Sequence, residues 1–339
     1  MPALPRSTFD GVQALRFIAA LLVVVTHSTL YAGERLDPTL RTWGLGGVGV
    51  DIFFVISGFV MIISAGRLVE KPNGWKTFGV RRIIRIVPMY WIATTIKVLT
   101  LVALPATVLH SRLDPGTTFL SYLFLPSRNF EGQVEPLLSV GWTLTFEMFF
   151  YFIFTIALFL RVRPILFCAI ILSACALGNI ARPEDWVPAL VYLDPIVLYF
   201  LAGMVAGQWV QDRSTPRLAA WLSYIFCLWL IIPLADGELV RSDVSLFVRH
   251  ISVVAIVMAV IACEPKIRGR VPKSVIYMGD ASYTLYLFHP LVAPIVPVVL
   301  AKVGLRIGEL SVVLSILAAV IAAALIYRLV ERPVTRRLQ

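Results

Sequence analysis

Apolar stretches long enough to cross a bilayer recur along the whole chain, and they restrict it to a membrane fold. A membrane-spanning helix needs about 20 consecutive, mostly apolar residues. Of the 339 residues 59% are hydrophobic and 15% are charged, whereas soluble domains are about 45–50% apolar and about 25% charged. We therefore predict an all-α, polytopic transmembrane helix bundle of about ten spans, at residues 12–31, 47–65, 84–104, 138–160, 164–180, 187–209, 217–234, 246–263, 282–301 and 309–330.

Two of these spans are atypical. The fifth is short, and the sixth contains Pro188 and Pro195. Proline lacks a backbone N–H group and breaks a helix interior. Both spans are therefore candidates for broken or re-entrant segments.

The distribution of lysine and arginine predicts the orientation of the bundle. With the N-terminus in the cytoplasm, nineteen of these residues fall on the cytoplasmic side and nine on the outer side. Cytoplasmic loops of membrane proteins carry the excess of lysine and arginine. An even number of spans then places both termini in the cytoplasm.

The remaining composition excludes several classes of protein. The net charge of +10 is spread over the inter-helix connections, which is typical of a membrane protein rather than a nucleic-acid-binding one.

The first apolar stretch has no small-x-small cleavage motif, so we expect a retained span and not a signal peptide. We expect one membrane domain, residues 1–339, and no metal site, because the cysteines lie in apolar segments without metal-ligand spacing: Cys168, Cys175, Cys227 and Cys263.

One face of the first span carries two ionisable groups. Arg16 and His27 are eleven residues apart, about three helical turns, in an otherwise apolar run. A cation within a bilayer is costly and usually faces a bundle interior or a wet cavity. The alternatives are that Arg16 extends to the interface and that His27 makes only a packing hydrogen bond. The aligned pair favours a functional site.

Two carboxylates are predicted at a similar depth to His27. Asp51 enters the second span from the outer side, and Glu147 lies about 12 Å into the fourth. A carboxylate beside a histidine stabilises the imidazolium that forms when the histidine acts as a general base. The alternatives are a polar network that only ties helices together and, for Asp51, an interfacial residue or helix cap.

Three arginines open the third span on the cytoplasmic side. Arg81, Arg82 and Arg85 project from adjoining helix faces, an arrangement that suits bidentate recognition of phosphate. The alternative is ordinary positive-inside anchoring. Because Arg16 is predicted at a similar depth, we expect a cytoplasmic phosphate-binding mouth with a histidine–carboxylate site deeper in the membrane. An acyl-coenzyme A fits this arrangement, because it is a long ligand with a phosphorylated head and a reactive thioester at its other end.

Other polar or aromatic side chains in the spans are candidate substrate contacts: Ser57, Trp142, Tyr286 and His289. Ser57 is also a candidate nucleophile, although Ser-Gly within a span is commonly a packing contact. His289 is followed by Pro290, and a structural role is its alternative.

These same segments resemble the acyltransferase-3 family of bacterial integral-membrane acyltransferases. Six motifs run in order along nearly the whole chain: Arg16 and His27 separated by ten residues, 49–59 (GVDIFFVISGF), Arg82 and Arg85 in RIIRIVPMYW, 141–147 (GWTLTFE), 282–290 (SYTLYLFHP) and 331–333 (ERP). Residues 125–128 and 131–136 further resemble the branch that O-acetylates exopolysaccharides.

The resemblance implies a multi-pass O-acetyltransferase of the bacterial cytoplasmic (inner) membrane. It implies that His27 is the catalytic base and that Arg16, Arg82 and Arg85 serve an acyl-coenzyme A donor, with no permanently bound cofactor. Glu147 is chosen as the orienting carboxylate on depth. The expected acceptor is a hydroxyl of a cell-surface or exopolysaccharide or of its lipid-linked precursor.

Three alternatives stay open at this point, and one of them is a proton-coupled sensor or assembly subunit without catalysis. A transporter or flippase for a lipid-linked saccharide would also use intramembrane charges and a proline-broken span. Within the enzyme hypothesis, direct transfer to the sugar hydroxyl competes with an acyl intermediate on a histidine or on Ser57.

Overall fold

A computed structural model describes residues 9–338 except 67, 106–107 and 213–243, and it describes no side chains for residues 244–248. The predicted seventh span, 217–234, and Cys227 lie outside the described residues. The described α-helices are α1 Asp10–Arg35, α2 Gly46–Ala65, α3 Gly74–Ala103, α4 Pro115–Tyr122, α5 Trp142–Phe159, α6 Pro164–Gly178, α7 Leu198–Asp212, α8 Val244–Ile267, α9 Lys273–Asp280, α10 Ser282–Val292, α11 Ile295–Lys302, α12 Gly308–Ile326 and α13 Arg332–Leu338. Within the described ranges there is no β-strand, only an isolated bridge between Arg128 and Val134.

The all-helical class predicted from the sequence is confirmed for the described residues. Among the described residues, eight helices are long and apolar enough to cross a bilayer. The predicted sixth span contains two short 3-10 helices, Pro188–Leu193 and Pro195–Val197, followed by α7. A proline stands first in each, where its missing N–H group costs no helical hydrogen bond.

Contacts divide the chain into two compact units, and the division falls within α2 between Ile56 and Ser57. The first unit contains the described residues up to Ile56 together with Ile251–Leu329. In it, α1 packs against α9, α10 and α12. Small residues make the close approach possible: a β-carbon at Gly279 of α9 would overlap the carbonyl oxygen of Gln13 in α1.

The second unit contains Ser57–His250 and Val330–Gln339, apart from the residues not described. Its helices α3, α5, α6 and α7 pack in succession. Aromatic rings fill the contacts, as in the stacked pairs Phe78–Phe154 at 4.8 Å and Phe150–Phe200 at 4.4 Å between ring centroids. Offset stacking of this kind adds to the stabilisation from burial alone.

Candidate functional site

His27 of the first unit is held by its own helix in the form that a general base requires. Its Nδ1 atom lies 2.9 Å from the carbonyl oxygen of Val23, one turn earlier in α1. A carbonyl oxygen only accepts hydrogen bonds, so Nδ1 carries the hydrogen and the Nε2 atom of neutral His27 bears the lone pair. The side chain is half-buried. His27 can therefore accept a proton at Nε2 without a change of tautomer.

A second imidazole lies directly beside it. The rings of His27 and His289 have centroids 4.9 Å apart and are tilted by 58°. His289 is 1% exposed, and its Nδ1 lies 3.2 Å from the carbonyl oxygen of Leu285. Its buried Nε2 has no hydrogen-bond partner among the described residues. The two imidazoles therefore share one tautomer, with both lone pairs on Nε2.

Aromatic side chains continue this cluster in the first unit. Tyr31 lies 6.0 Å from His27, and Tyr286 lies 6.1 Å from His289, between ring centroids. Tyr286 also makes an edge contact of 5.9 Å with Phe53 of α2. The candidate contacts Tyr286 and His289 are thus grouped with the proposed base.

Arg16 belongs to a hydrogen-bonded chain that joins α1 to the end of α9. Its Nη1 donates to Oε1 of Gln13 at 3.1 Å, and Nε2 of Gln13 donates to Oδ1 of Asp280 at 2.9 Å. These hydrogen bonds orient the guanidinium of Arg16, which is half-buried, by groups of the first unit.

Asp51 of α2, also in the first unit, is 3% exposed.

Glu147 of the second unit accepts two hydrogen bonds on one carboxylate oxygen. Ser57 Oγ donates to Oε1 at 3.1 Å, and the hydroxyl of Tyr151 donates to the same oxygen. Tyr151 is one turn after Glu147 in α5 and is 4% exposed. The structure therefore joins Ser57 and Glu147, which the sequence identified separately. The shared depth of Glu147 with His27 and Asp51 stays a prediction.

The three arginines of α3 have different environments. Arg81 is exposed, Arg85 is half-buried and Arg82 is 8% exposed. Arg82 donates from Nη2 to Oγ of Ser64 at 2.6 Å, and its guanidinium carbon lies 5.7 Å from the ring centroid of Tyr151. The buried cation Arg82 is consequently linked through Tyr151 to the carboxylate of Glu147.

Trp142, the remaining candidate substrate contact, begins α5 and is half-buried. Its ring makes an edge contact of 5.9 Å with Phe146, which in turn contacts Tyr192 at 6.1 Å. It therefore belongs to an aromatic group of the second unit.

The segment that resembles the exopolysaccharide branch forms a tight turn. Arg128 donates to the carbonyl oxygens of Gly132, at 2.9 Å, and of Trp186. Nearby, His110 and Glu131 form an exposed pair at 3.0 Å. Burial, reinforced by the charge of Glu131, raises the pKa of the Glu135 carboxyl above its usual range.

Sequence reasoning missed several partners in these networks. Gln13 and Tyr151 carried a usable signal, because they are three and four residues from Arg16 and Glu147 on the same helix. Ser64 carried none, because its contact with Arg82 depends on how α2 and α3 pack. Among the described residues, no group of three or more His, Cys, Asp or Glu side chains is arranged to hold a metal ion.

Comparison with known proteins identifies relatives over nearly the whole chain. The chain is 34% identical over 282 residues to the exopolysaccharide production protein ExoZ of Rhizobium meliloti (strain 1021), covering 79% of this chain and 82% of that protein. It is 25% identical over 320 residues to nodulation protein 10 of Rhizobium leguminosarum bv. viciae, covering 85% and 83% of the two chains. No solved structure matches it.

A third relative combines a matching region with additional sequence. The chain is 25% identical over 333 residues to the peptidoglycan O-acetyltransferase OatA of Listeria monocytogenes serovar 1/2a, covering 87% of this chain and 51% of that protein. The acyltransferase domain family matches residues 9–329. With apolar helices that can span a membrane, the chain is a membrane acyltransferase and belongs to the acyltransferase-3 family.

Proposed function

We propose that this protein transfers an acetyl group from acetyl-coenzyme A to a hydroxyl of an exopolysaccharide or of its lipid-linked precursor. The relatives support this choice, because one is an exopolysaccharide production protein and another is a peptidoglycan O-acetyltransferase. Family membership favours this enzyme over a transporter or flippase.

His27 is the general base of the proposed reaction, and the contact of its Nδ1 with the carbonyl oxygen of Val23, which leaves Nε2 as the acceptor, is the observation that carries the proposal. Nε2 removes the proton from the sugar hydroxyl while that oxygen attacks the thioester carbonyl. The tetrahedral intermediate collapses with loss of the coenzyme A thiolate, and the proton on Nε2 passes to that sulfur. The hydrogen bond from Nδ1 to Val23 keeps the ring oriented through both proton transfers.

We propose direct transfer rather than an acyl-enzyme. The hydroxyl of Ser57 donates its hydrogen to the carboxylate of Glu147, so the partner in this hydrogen bond is a carboxylate and not an imidazole. A serine nucleophile is usually activated by a histidine. Glu147 and Asp51 are proposed to orient groups around the reacting hydroxyl, and Trp142 and Tyr286 to contact the saccharide.

The donor is proposed to bind through arginines, with no permanently bound cofactor. Arg16, Arg81, Arg82 and Arg85 would serve its phosphates, since a guanidinium group binds phosphate bidentately. The exposed side chain of Arg81, near the end of α3 that is predicted to be cytoplasmic, supports a donor that enters from the cytoplasm.

The proposed setting is the bacterial cytoplasmic membrane. We propose about ten spans, both termini in the cytoplasm and a single functional domain over residues 1–339. The excess of lysine and arginine on one side supports this orientation.

The test is thiol release from acetyl-coenzyme A, by slow hydrolysis with water in place of the sugar hydroxyl, catalysed by the purified full-length protein in nanodiscs. Wild type is compared with His27→Ala and with His110→Ala, a matched control that removes an exposed histidine paired with Glu131. We expect His27→Ala to lower turnover by about 10²–10⁴-fold, the usual contribution of general acid–base catalysis, and His110→Ala to match wild type. Folded wild-type protein that neither binds nor cleaves acetyl-coenzyme A would contradict the proposal.

Mass spectrometry of the intact protein separates the two mechanisms. Wild type incubated with acetyl-coenzyme A, without acceptor, should stay unmodified if transfer is direct. An acetylated protein whose label is lost in Ser57→Ala would contradict direct transfer and establish the serine intermediate.

A further inference from the structure

The last described helix, α13, carries three arginines and packs against α3. The apolar helix α12 continues through the π turn Tyr327–Glu331 into α13, and α13 packs against α3 within the second unit. Its three arginines are exposed and make no hydrogen bond or ion pair with the described residues. They are Arg332, Arg336 and Arg337.

The contact with α3 falls at its basic end on physical grounds. Residues 86–103 of α3 are mostly apolar and contain one cation, Lys97. In this half of the helix, Trp91 and Thr95 are hydrogen-bonded to Tyr122 of α4. Exposed arginines beside an apolar membrane segment would be costly. The cost therefore favours a contact of α13 with the first turns of α3.

Together these elements form a surface that is almost entirely cationic. We define the α3–α13 basic surface as Lys76, Arg81, Arg332, Arg336 and Arg337, all exposed. Residues 66–85 contain one acidic side chain, and α13 contains none. Like charges brought together without acidic partners destabilise a fold. Such a cluster indicates an anionic ligand.

The arginines of α3 differ in burial between faces of the helix, which favours a ligand that leads from the exposed face into the second unit. Arg81 is exposed, whereas the other faces of the same helix carry half-buried Arg85 and buried Arg82, which contacts Tyr151. Anchoring to lipid headgroups needs only exposed charges at the interface. A donor with several phosphates outside and a thioester carried inward fits the whole series.

We propose that the α3–α13 basic surface binds the phosphate groups of the acyl donor. The assignment of these phosphates to an acyl-coenzyme A, with its 3′-phosphate and diphosphate, rests on the proposed function. Arg336 and Arg337 bind them by charge-assisted hydrogen bonds and act on donor affinity, not on the chemical step.

The test compares two double variants of the full chain in nanodiscs. Arg336→Gln/Arg337→Gln removes two charges from the surface, and Arg161→Gln/Arg163→Gln removes two exposed charges from the α5–α6 connection. The probe is adenosine 3′,5′-bisphosphate. We expect the first variant to raise its Kd about five- to tenfold at low salt, with a smaller change at high salt, and the second to match wild type.

Enzyme kinetics supply a readout that does not depend on folding alone. The Arg336/Arg337 variant should raise KM for acetyl-coenzyme A at unchanged kcat. It should leave kinetics with S-acetyl-N-acetylcysteamine, a thioester without phosphates, as in wild type. A loss with both donors would overturn the proposal, because it would indicate a general structural defect.

The lipid composition of the nanodiscs distinguishes the source of the phosphate. An effect equal in neutral and anionic nanodiscs supports donor binding. An increase in Kd that is present only with anionic lipids, or that is equal in both double variants, overturns the proposal that the surface binds the donor. Bisphosphate binding that is lost in the Arg336/Arg337 variant, without acetyl-coenzyme A turnover in wild type, supports the surface and contradicts the proposed function. Turnover of acetyl-coenzyme A by wild type, with a KM that is unchanged in the Arg336/Arg337 variant, supports the proposed function and contradicts the surface.

Discussion

The hydroxyl of Tyr151 is expected to stabilise the second unit through the carboxylate of Glu147. It donates to Oε1 of Glu147, the same oxygen that accepts from Ser57 at 3.1 Å. Tyr151→Phe removes the hydroxyl but keeps the ring whose centroid lies 5.7 Å from the guanidinium of Arg82. The variant therefore isolates one hydrogen bond and leaves the cation–π contact in place.

The magnitude follows from the two donors that share this oxygen. A hydrogen bond to a charged group contributes about 1.5–3 kcal/mol, whereas hydrogen bonds between membrane helices average about 0.6 kcal/mol. Because Ser57 still donates in Tyr151→Phe, we expect a loss of about 1–2 kcal/mol in the free energy of unfolding. Ser57→Ala should cost about 0.5–1 kcal/mol.

The double variant gives the decisive number. The double variant removes the hydroxyls of Ser57 and Tyr151, which are the two groups seen to donate to Oε1 of Glu147 among the described residues. The combined loss should exceed the sum of the single losses by at least about 0.5 kcal/mol, as for residues in one network. Unfolding in mixed micelles with increasing SDS, followed by tryptophan fluorescence, measures all three variants. Strict additivity, or a Tyr151→Phe value equal to wild type, would refute this account of the network.

Three further predictions concern other contacts. Glu264 accepts the N–H groups that begin α1, at 2.6 and 2.9 Å, so Glu264→Gln should lower the unfolding free energy by about 1–2 kcal/mol in the same SDS assay. His289→Phe keeps a ring against His27 and should retain most of kcat for acetyl-coenzyme A, whereas His289→Ala should lose about tenfold because the base is no longer held in position. The raised pKa of Glu135 means that the stability its protonated form contributes is lost as pH rises through that value. Glu135→Gln should therefore be more stable than wild type at pH 8 and equal to it at pH 4, by thermal unfolding.

Sequence reasoning succeeded where a feature depends on one helix. Hydropathy and length predicted α1, α2 and α5 within a few residues, because a bilayer forces each span to satisfy its own backbone. The predicted start of the third span, residue 84, was wrong by ten residues: α3 begins at Gly74, because its first turns are polar and lie outside the apolar run that hydropathy detects. The orientations of His27 and Arg16 also derive from residues three and four positions away in α1. These are local consequences of helical spacing.

Features that depend on packing between helices were not predictable in the same way. The contact of Ser57 with Glu147 joins residues 90 positions apart, and no spacing rule connects them. The proximity of His289 to His27 likewise depends on the packing of α10 against α1. Pro188 and Pro195 did indicate an irregular sixth segment, because proline acts on its own backbone.

The arginines of α3 show why a motif alone does not decide between anchoring and ligand binding. An anchoring arginine must reach the headgroups, and Arg81 is exposed as that role requires. Arg82 is 8% exposed and hydrogen-bonded to Ser64, so its guanidinium is not available as a simple anchor. Burial of a cation is costly unless other groups satisfy it, and the ring of Tyr151 with the nearby carboxylate of Glu147 supplies that compensation. Positive-inside anchoring therefore accounts for the exposed end of the motif only, and the buried end requires a role inside the second unit.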